Sequence, residues 1–158
     1  MSAKITDVRI DTFPALRFIG KPCMCAPADF IEKWNEWLIN GWFEPLEKLS
    51  AAFENGDAYL GATSGDSYWI GLLFPAGTPV PNGYEYLDNP AAKYAVFRFD
   101  GKKDKELLSE DGITLVYEEM GKRGLIPDAD VLCIERYNRP ASEKNSKVLL
   151  ECLHAIKE

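Results

Sequence analysis

The chain has 158 residues, 46% hydrophobic and 27% charged, which fits one globular domain able to bury roughly 70% of its unfolded surface. Its 18 Lys and Arg against 25 Asp and Glu leave a net charge of −7, which argues against nucleic acid and anionic membrane as partners. No run approaches the eighteen or so apolar residues of a spanning helix, and Met1 to Ile10 lacks the charged-then-apolar pattern of a signal peptide.

In chain order, a first strand is expected from Asp7 to Pro22, broken by Pro14. A helix follows, with Asp29 as its N-cap and Phe30, Ile31, Trp34, Trp37 and Leu38 at three- and four-residue spacing. Gly41 and Pro45 should end or kink it, and Leu46, Leu49 and Phe53 continue a second short stripe. Glu54 to Asp57 reads as a stop. Two strands, Ala58 to Thr63 and Tyr68 to Phe74, should form a hairpin through Ser64-Gly65-Asp66.

Pro75 to Asn82 carries three prolines and one glycine and reads as a loop. Gly83 to Gly101 reads as a turn, a short strand, a break at Pro90, and an alternating strand ended by Asp100-Gly101. A helix lies between Asp104 and Lys122, anchored by Ile113, Val116, Tyr117 and Met120, with Gly124 and Pro127 closing it. Strands Val131 to Tyr137 and Val148 to Ile156 finish the chain around a polar loop.

The order is strand, helix, strand, strand, stated twice. This predicts an α+β fold: a single domain over residues 1–158 with pseudo-repeats at about 7–74 and 84–156. Antiparallel sheets carry helices on one side, and a ligand groove runs along a pseudo-twofold axis.

The chemistry is sparse. No nucleophile elbow, zinc-protease motif or phosphate-cradling glycine loop is present. Cys23-x-Cys25 has the wrong spacing for a zinc knuckle, and His154 has no partners in the sequence with which to hold a metal. No cofactor or metal is expected. The four cysteines fit a reducing cytosol, hence a cytoplasmic protein without disulfides.

Along Val131 to Tyr137, Cys133, Glu135 and Tyr137 share one face while Leu132 and Ile134 share the other, the one expected to pack under a helix. On the residues alone, Glu135 either pairs with Arg136 or a lysine at a wet face, or looks into a groove beside Tyr137. Trp69 is expected in the groove, because Tyr68, Ile70 and Leu72 suit the face under the helix. Tyr59 and Trp37 are further candidate ligand contacts. A regular hairpin would set Cys133 near Cys152 and Glu135 near Leu150.

Several segments carry a resemblance. Gly83-Tyr84 followed by Asn89-Pro90-Ala91-Ala92-Lys93-Tyr94-Ala95-Val96-Phe97-Arg98 is similar to the GyrI-like small-molecule-binding domains that serve as effector modules of AraC- and MerR-type regulators. Tyr68-Trp69-Ile70-Gly71-Leu72, Pro79 to Gly83 and the aromatic Trp34 to Trp37 turn resemble that family in order and spacing. Val131 to Tyr137 looks like its Glu-x-Tyr strand, whose carboxylate faces the ligand.

The resemblance implies a groove-facing Glu135 and a stand-alone member without a helix-turn-helix reader. Its expected partner is a small aromatic or amphipathic, often cationic, organic molecule, which it senses or sequesters. The alternative it implies is a cofactor-independent hydrolase of cyclopropane-containing alkylators. There Glu135 would be the base, and Tyr137 or Tyr59 would donate to the developing oxyanion. A third is inhibition of a protein partner such as DNA gyrase.

Overall fold

The computed structural model describes residues 4–24, 29–49, 58–64, 67–101, 110–128, 130–138 and 148–157. Its elements are β1 (Lys4–Phe13), β2 (Leu16–Cys23), α1 (Phe30–Asn40), α2 (Glu44–Glu47), β3 (Ala58–Ser64), β4 (Ser67–Pro75), β5 (Glu85–Asn89), β6 (Ala92–Gly101), α3 (Glu110–Lys122), β7 (Cys133–Asn138) and β8 (Val148–Ile156). The strands form one antiparallel sheet in the order β1-β6-β8-β7-β3-β4-β2-β5. Phe53, the Glu54 to Asp57 stop, Gly65-Asp66 of the hairpin and the side chain of Ile113 lie outside the described residues.

The corners decide the shape. β1 and β2 sit near opposite ends of that order, yet only Pro14 and Ala15 separate them; Pro90 and Ala91 likewise separate β5 from β6. The pairs from Asp7↔Arg98 to Phe13↔Ala92 and from Leu16↔Asn89 to Gly20↔Glu85 keep a single register. The predicted first strand and the segment around Pro90 are therefore two long bent strands lying antiparallel along one continuous ladder. Proline interrupts each because it has no N–H for the ladder. Two-residue corners also let Phe13 and Leu16 both point inward, which straight strands forbid.

The sheet thus curls round an inner cluster that includes Phe13, Leu16, Phe18, Leu60, Ala62, Trp69, Tyr94, Leu132, Ile134 and Leu153. Its outer face is covered by helices. Trp37, Phe43 and Leu46 from the α1–α2 segment cover Ile19, Tyr68, Ile70 and Leu72, while Val116 and Met120 of α3 cover Ala95, Phe97 and Cys152. Gly41 ends α1 with φ of 66°, the left-handed C-cap that glycine alone adopts at no cost. Asp29 precedes α1 but makes no side-chain cap bond, against expectation, and Pro45 falls in the first turn of α2 and opens it.

Two polar networks hold the interior. Asn89 Nδ2 donates to Tyr94 Oη (2.8 Å), Tyr94 Oη donates to Leu132 O (2.8 Å), and Leu132 N–H returns to Asn89 Oδ1 (3.1 Å). This triangle ties β5, β6 and the entry to β7 at the corner, and burial pushes the Tyr94 hydroxyl pKa up. At the other end of the inner face, Glu151 is 6% exposed and meets Arg9, Arg98 and Arg136 at 3.0, 3.1 and 2.6 Å. Burial pushes the Glu151 carboxyl up, but Arg9 and Arg136 outweigh it and leave it below its usual range.

Tyr94→Phe should cost about 1–3 kcal/mol in urea unfolding, because Asn89 Nδ2 and the Leu132 carbonyl lose a buried partner. Glu151→Gln should cost about 3 kcal/mol near neutral pH, where three guanidiniums lose their carboxylate. A lowered folded-state pKa stabilises above the ordinary carboxylate range, and that stability is lost as pH falls through the lowered value. Melts of wild type and variant should therefore converge in acid.

Candidate functional site

The two halves correspond ladder by ladder. Arg17 and Lys93 are each the second residue of their bent strand's latter arm, so their partners Phe74 and Ile156 also correspond. Stepping back along β4 and β8 brings Ile70 into correspondence with Cys152. Their next partners are Gly61 and Glu135. Gly61 and Glu135 are themselves paired across β3 and β7. The pseudo-twofold axis therefore passes between a glycine and a glutamate.

That difference builds the site. Glu135 Oε1 accepts from Tyr68 Oη at 2.7 Å, and Tyr68 Oη accepts from Trp34 Nε1 at 3.0 Å. A Cβ on Gly61 would overlap Tyr68 Oη and stand 2.8 Å from Tyr68 Cζ and 3.1 Å from Glu135 Oε1. Glycine is required here by close approach of side chains rather than by its backbone angles. Trp34 packs against both helix-side clusters, so it bridges the α1 and α3 halves over the seam. Glu135 is half-buried and Tyr68 is buried. Burial first, then the Glu135 charge, pushes the Tyr68 hydroxyl pKa well up, so it remains a proton donor.

Tyr59 shares this face. Its ring stacks on Phe43 at 3.7 Å and 3° between planes, and its hydroxyl donates to Glu47 Oε1 at 3.1 Å. Tyr137 is paired with Tyr59 through its backbone, and its side chain lies outside the described residues. Trp37 is 2% exposed and packs on Phe43 at 4.6 Å, one layer behind the seam rather than on it.

Trp69, expected in the groove, does not share a face with Glu135. It lies on the opposite, inner face with Leu132 and Ile134, which do not pack under a helix either. The sheet curls over that face, so Glu135 and the helices share the outer one. Glu135 pairs with Cys152 rather than lying near Leu150, because the long β7–β8 connection shifts the hairpin register by two residues. Sequence reasoning missed Tyr68. The available signal was its position beside Ile70 and Leu72 on the face that also carries Gly61 and Glu135.

His154 is buried and committed. Its Nδ1–H donates to Ala155 O at 3.0 Å, which leaves Nε2 to accept from Tyr117 Oη at 3.1 Å. Among the described residues no group of three or more His, Cys, Asp and Glu could hold a metal ion. No helix among them is long and apolar enough to cross a membrane.

Comparison with solved structures places this architecture. It is similar to SAV2435 bound to tetraphenylphosphonium (TM-score 0.75, 15% identity, 96% of this chain and 94% of that one). It is also similar to a putative bacterial transcription regulation protein from Staphylococcus aureus MU50 (TM-score 0.70, 13% identity, 96% and 99%) and to the EcmrR C-terminal domain (TM-score 0.60, 9% identity, 96% and 98%). The fold is the GyrI-like fold. No family model and no curated protein matches the sequence itself. The duplicated strand-helix-strand-strand organisation expected from the chain order is the one observed.

Gly61→Ala tests the crowding at the axis. It should cost roughly 1–3 kcal/mol by overpacking, and the cost should shrink in a Tyr68→Phe background, where the overlapping hydroxyl is gone. Equal costs in the two backgrounds, read from chemical denaturation, would place the strain elsewhere.

Proposed function

We propose that this chain binds small aromatic or amphipathic organic molecules, cationic ones foremost, at the seam between its two halves, with Glu135 as the countercharge. The observation that carries the reading is the half-buried carboxylate at the pseudo-twofold axis, facing a glycine and held by a neutral tyrosine. A carboxylate partly removed from water is costly, and a bound cation offsets that cost. Trp34, Tyr59, Phe43 and Tyr68 supply rings around the seam. Each aromatic contact with a flat or cationic ligand contributes of order 0.5–2 kcal/mol.

Two further facts support the reading. The net charge of −7 draws cations from a distance. A protein of the same fold, SAV2435, was solved bound to tetraphenylphosphonium, an aromatic cation. We place the activity in the cytoplasm, acting on free small molecules without direct contact to nucleic acid.

Titration with tetraphenylphosphonium, followed by tryptophan fluorescence, tests this. Wild type should saturate, and Glu135→Gln should bind about 10- to 100-fold more weakly, the worth of a charge-assisted contact of 1.5–3 kcal/mol. Unchanged affinity in that variant sinks the assignment of Glu135. Turnover of a cyclopropane-containing alkylator, lost in the same variant, would replace binding with hydrolysis. Gyrase inhibition that survives the substitution would point to a protein partner instead.

A further inference from the structure

The β7–β8 ladder sets Glu135 opposite Cys152, so Cys133, two residues earlier on the same face, lies diagonally across from it. The two side chains pack in the cluster under α3. Both are free thiols; Cys152 is 3% exposed and Cys133 half-buried. The ligand reading above uses neither.

The surroundings decide what such a pair can do. His154 spends both ring nitrogens on Tyr117 and Ala155, so it does not serve either thiol as a base. The neighbouring Cys133 thiol, burial and the nearby Glu135 charge push the Cys152 thiol well up, which opposes thiolate chemistry. Zinc would require deprotonated sulfurs and further ligands. Among the described residues no group of three or more such ligands is found.

Trivalent arsenic needs neither. An aryl–As(OH)2 condenses with two thiols: two S–H and two As–O bonds break, two As–S bonds form, and two waters leave. Arsenic stays trivalent, and each sulfur exchanges a proton for arsenic without gaining charge. A neutral product suits a site where burial penalises charge. Pyramidal arsenic also holds its two sulfurs close together, which suits thiols that are diagonal neighbours on one sheet face, whereas mercury would force them apart into a line.

We propose that Cys133 and Cys152 form a dithiol site that captures trivalent aryl-arsenicals, Cys133 reacting first and Cys152 closing the chelate. The aryl group lies towards Trp34, which packs on the same cluster as Cys133. The site stands on the thiol geometry and does not depend on Glu135 binding a cation.

The test is titration of the reduced full chain with phenylarsine oxide, followed by intact mass, free-thiol count and peptide mapping. One arsenic per chain, two thiols lost, and a bridge joining the Cys133 and Cys152 peptides are expected. Removing either cysteine should weaken capture about 100-fold, because the second bond is no longer intramolecular. Cys23→Ser with Cys25→Ser should leave the bridge intact. A bridge mapped to Cys23 and Cys25, or an adduct undiminished in the Cys133→Ser, Cys152→Ser protein, would overturn the proposal. Peptide mapping on the wild type gives the answer even if Cys152 variants fold poorly.

Discussion

The ladder shared by the two bent strands is the constraint from which the remaining geometry follows. Each long strand crosses a proline corner and pairs first with one arm of its counterpart, then with the other, without losing register. A sheet whose ends are tied by two-residue links cannot lie flat. It must curl until the β1–β6 edge and the β2–β5 edge meet at those corners. Curling leaves one face nearly enclosed, and that face fills with aliphatic and aromatic side chains that gain by leaving water. Polar groups at the corner would be stranded there, and the Asn89–Tyr94–Leu132 triangle satisfies them internally.

Closure also determines where a ligand site can be. With the inner face occupied, the helices and any groove between them are left to the outer face. The two halves meet there along β3 and β7. A symmetric pair of acids at that junction would repel each other at close range. The chain avoids this by placing Gly61 opposite Glu135, which trades symmetry for room. The carboxylate then leans over the glycine to reach Tyr68 on the neighbouring strand. Asymmetry thus arises within a duplicated topology from one side chain and the absence of another.

Much of the fold was legible because the two periods are clean. Trp34 and Trp37 at helical spacing, and the alternation through Lys93 to Asp100, depend on local rules that tertiary context did not override. The two strand-breaking prolines were equally plain, but their consequence was not. That Pro14 and Pro90 are corners of one shared ladder depends on pairing between residues far apart in sequence. This explains the misplaced Trp69, Leu132 and Ile134. Alternation separated them correctly from their neighbours, but which face remained open was a property of the closed sheet. Tyr68 escaped notice for the related reason that its partner, Glu135, is brought to it by strand order and by the space at Gly61. The β7–β8 register was beyond reach because a long connection does not specify its own pairing.

Trp34 has one more part in the argument. It donates to Tyr68, which donates to Glu135, and its ring touches the clusters beneath both α1 and α3. On the proposed reading, a ligand that reaches the carboxylate competes with this indole for the same seam. Part of the binding energy is then spent on moving Trp34, and the observed affinity falls by the fraction of time the seam is open. The exchange is not wholly unfavourable. An aromatic cation replaces the apolar area that Trp34 covered and adds a charge that Glu135 lacks. Selectivity would then follow from size and charge together. A small cation would neutralise the acid without restoring the lost packing, and a neutral ring would restore the packing without neutralising the acid.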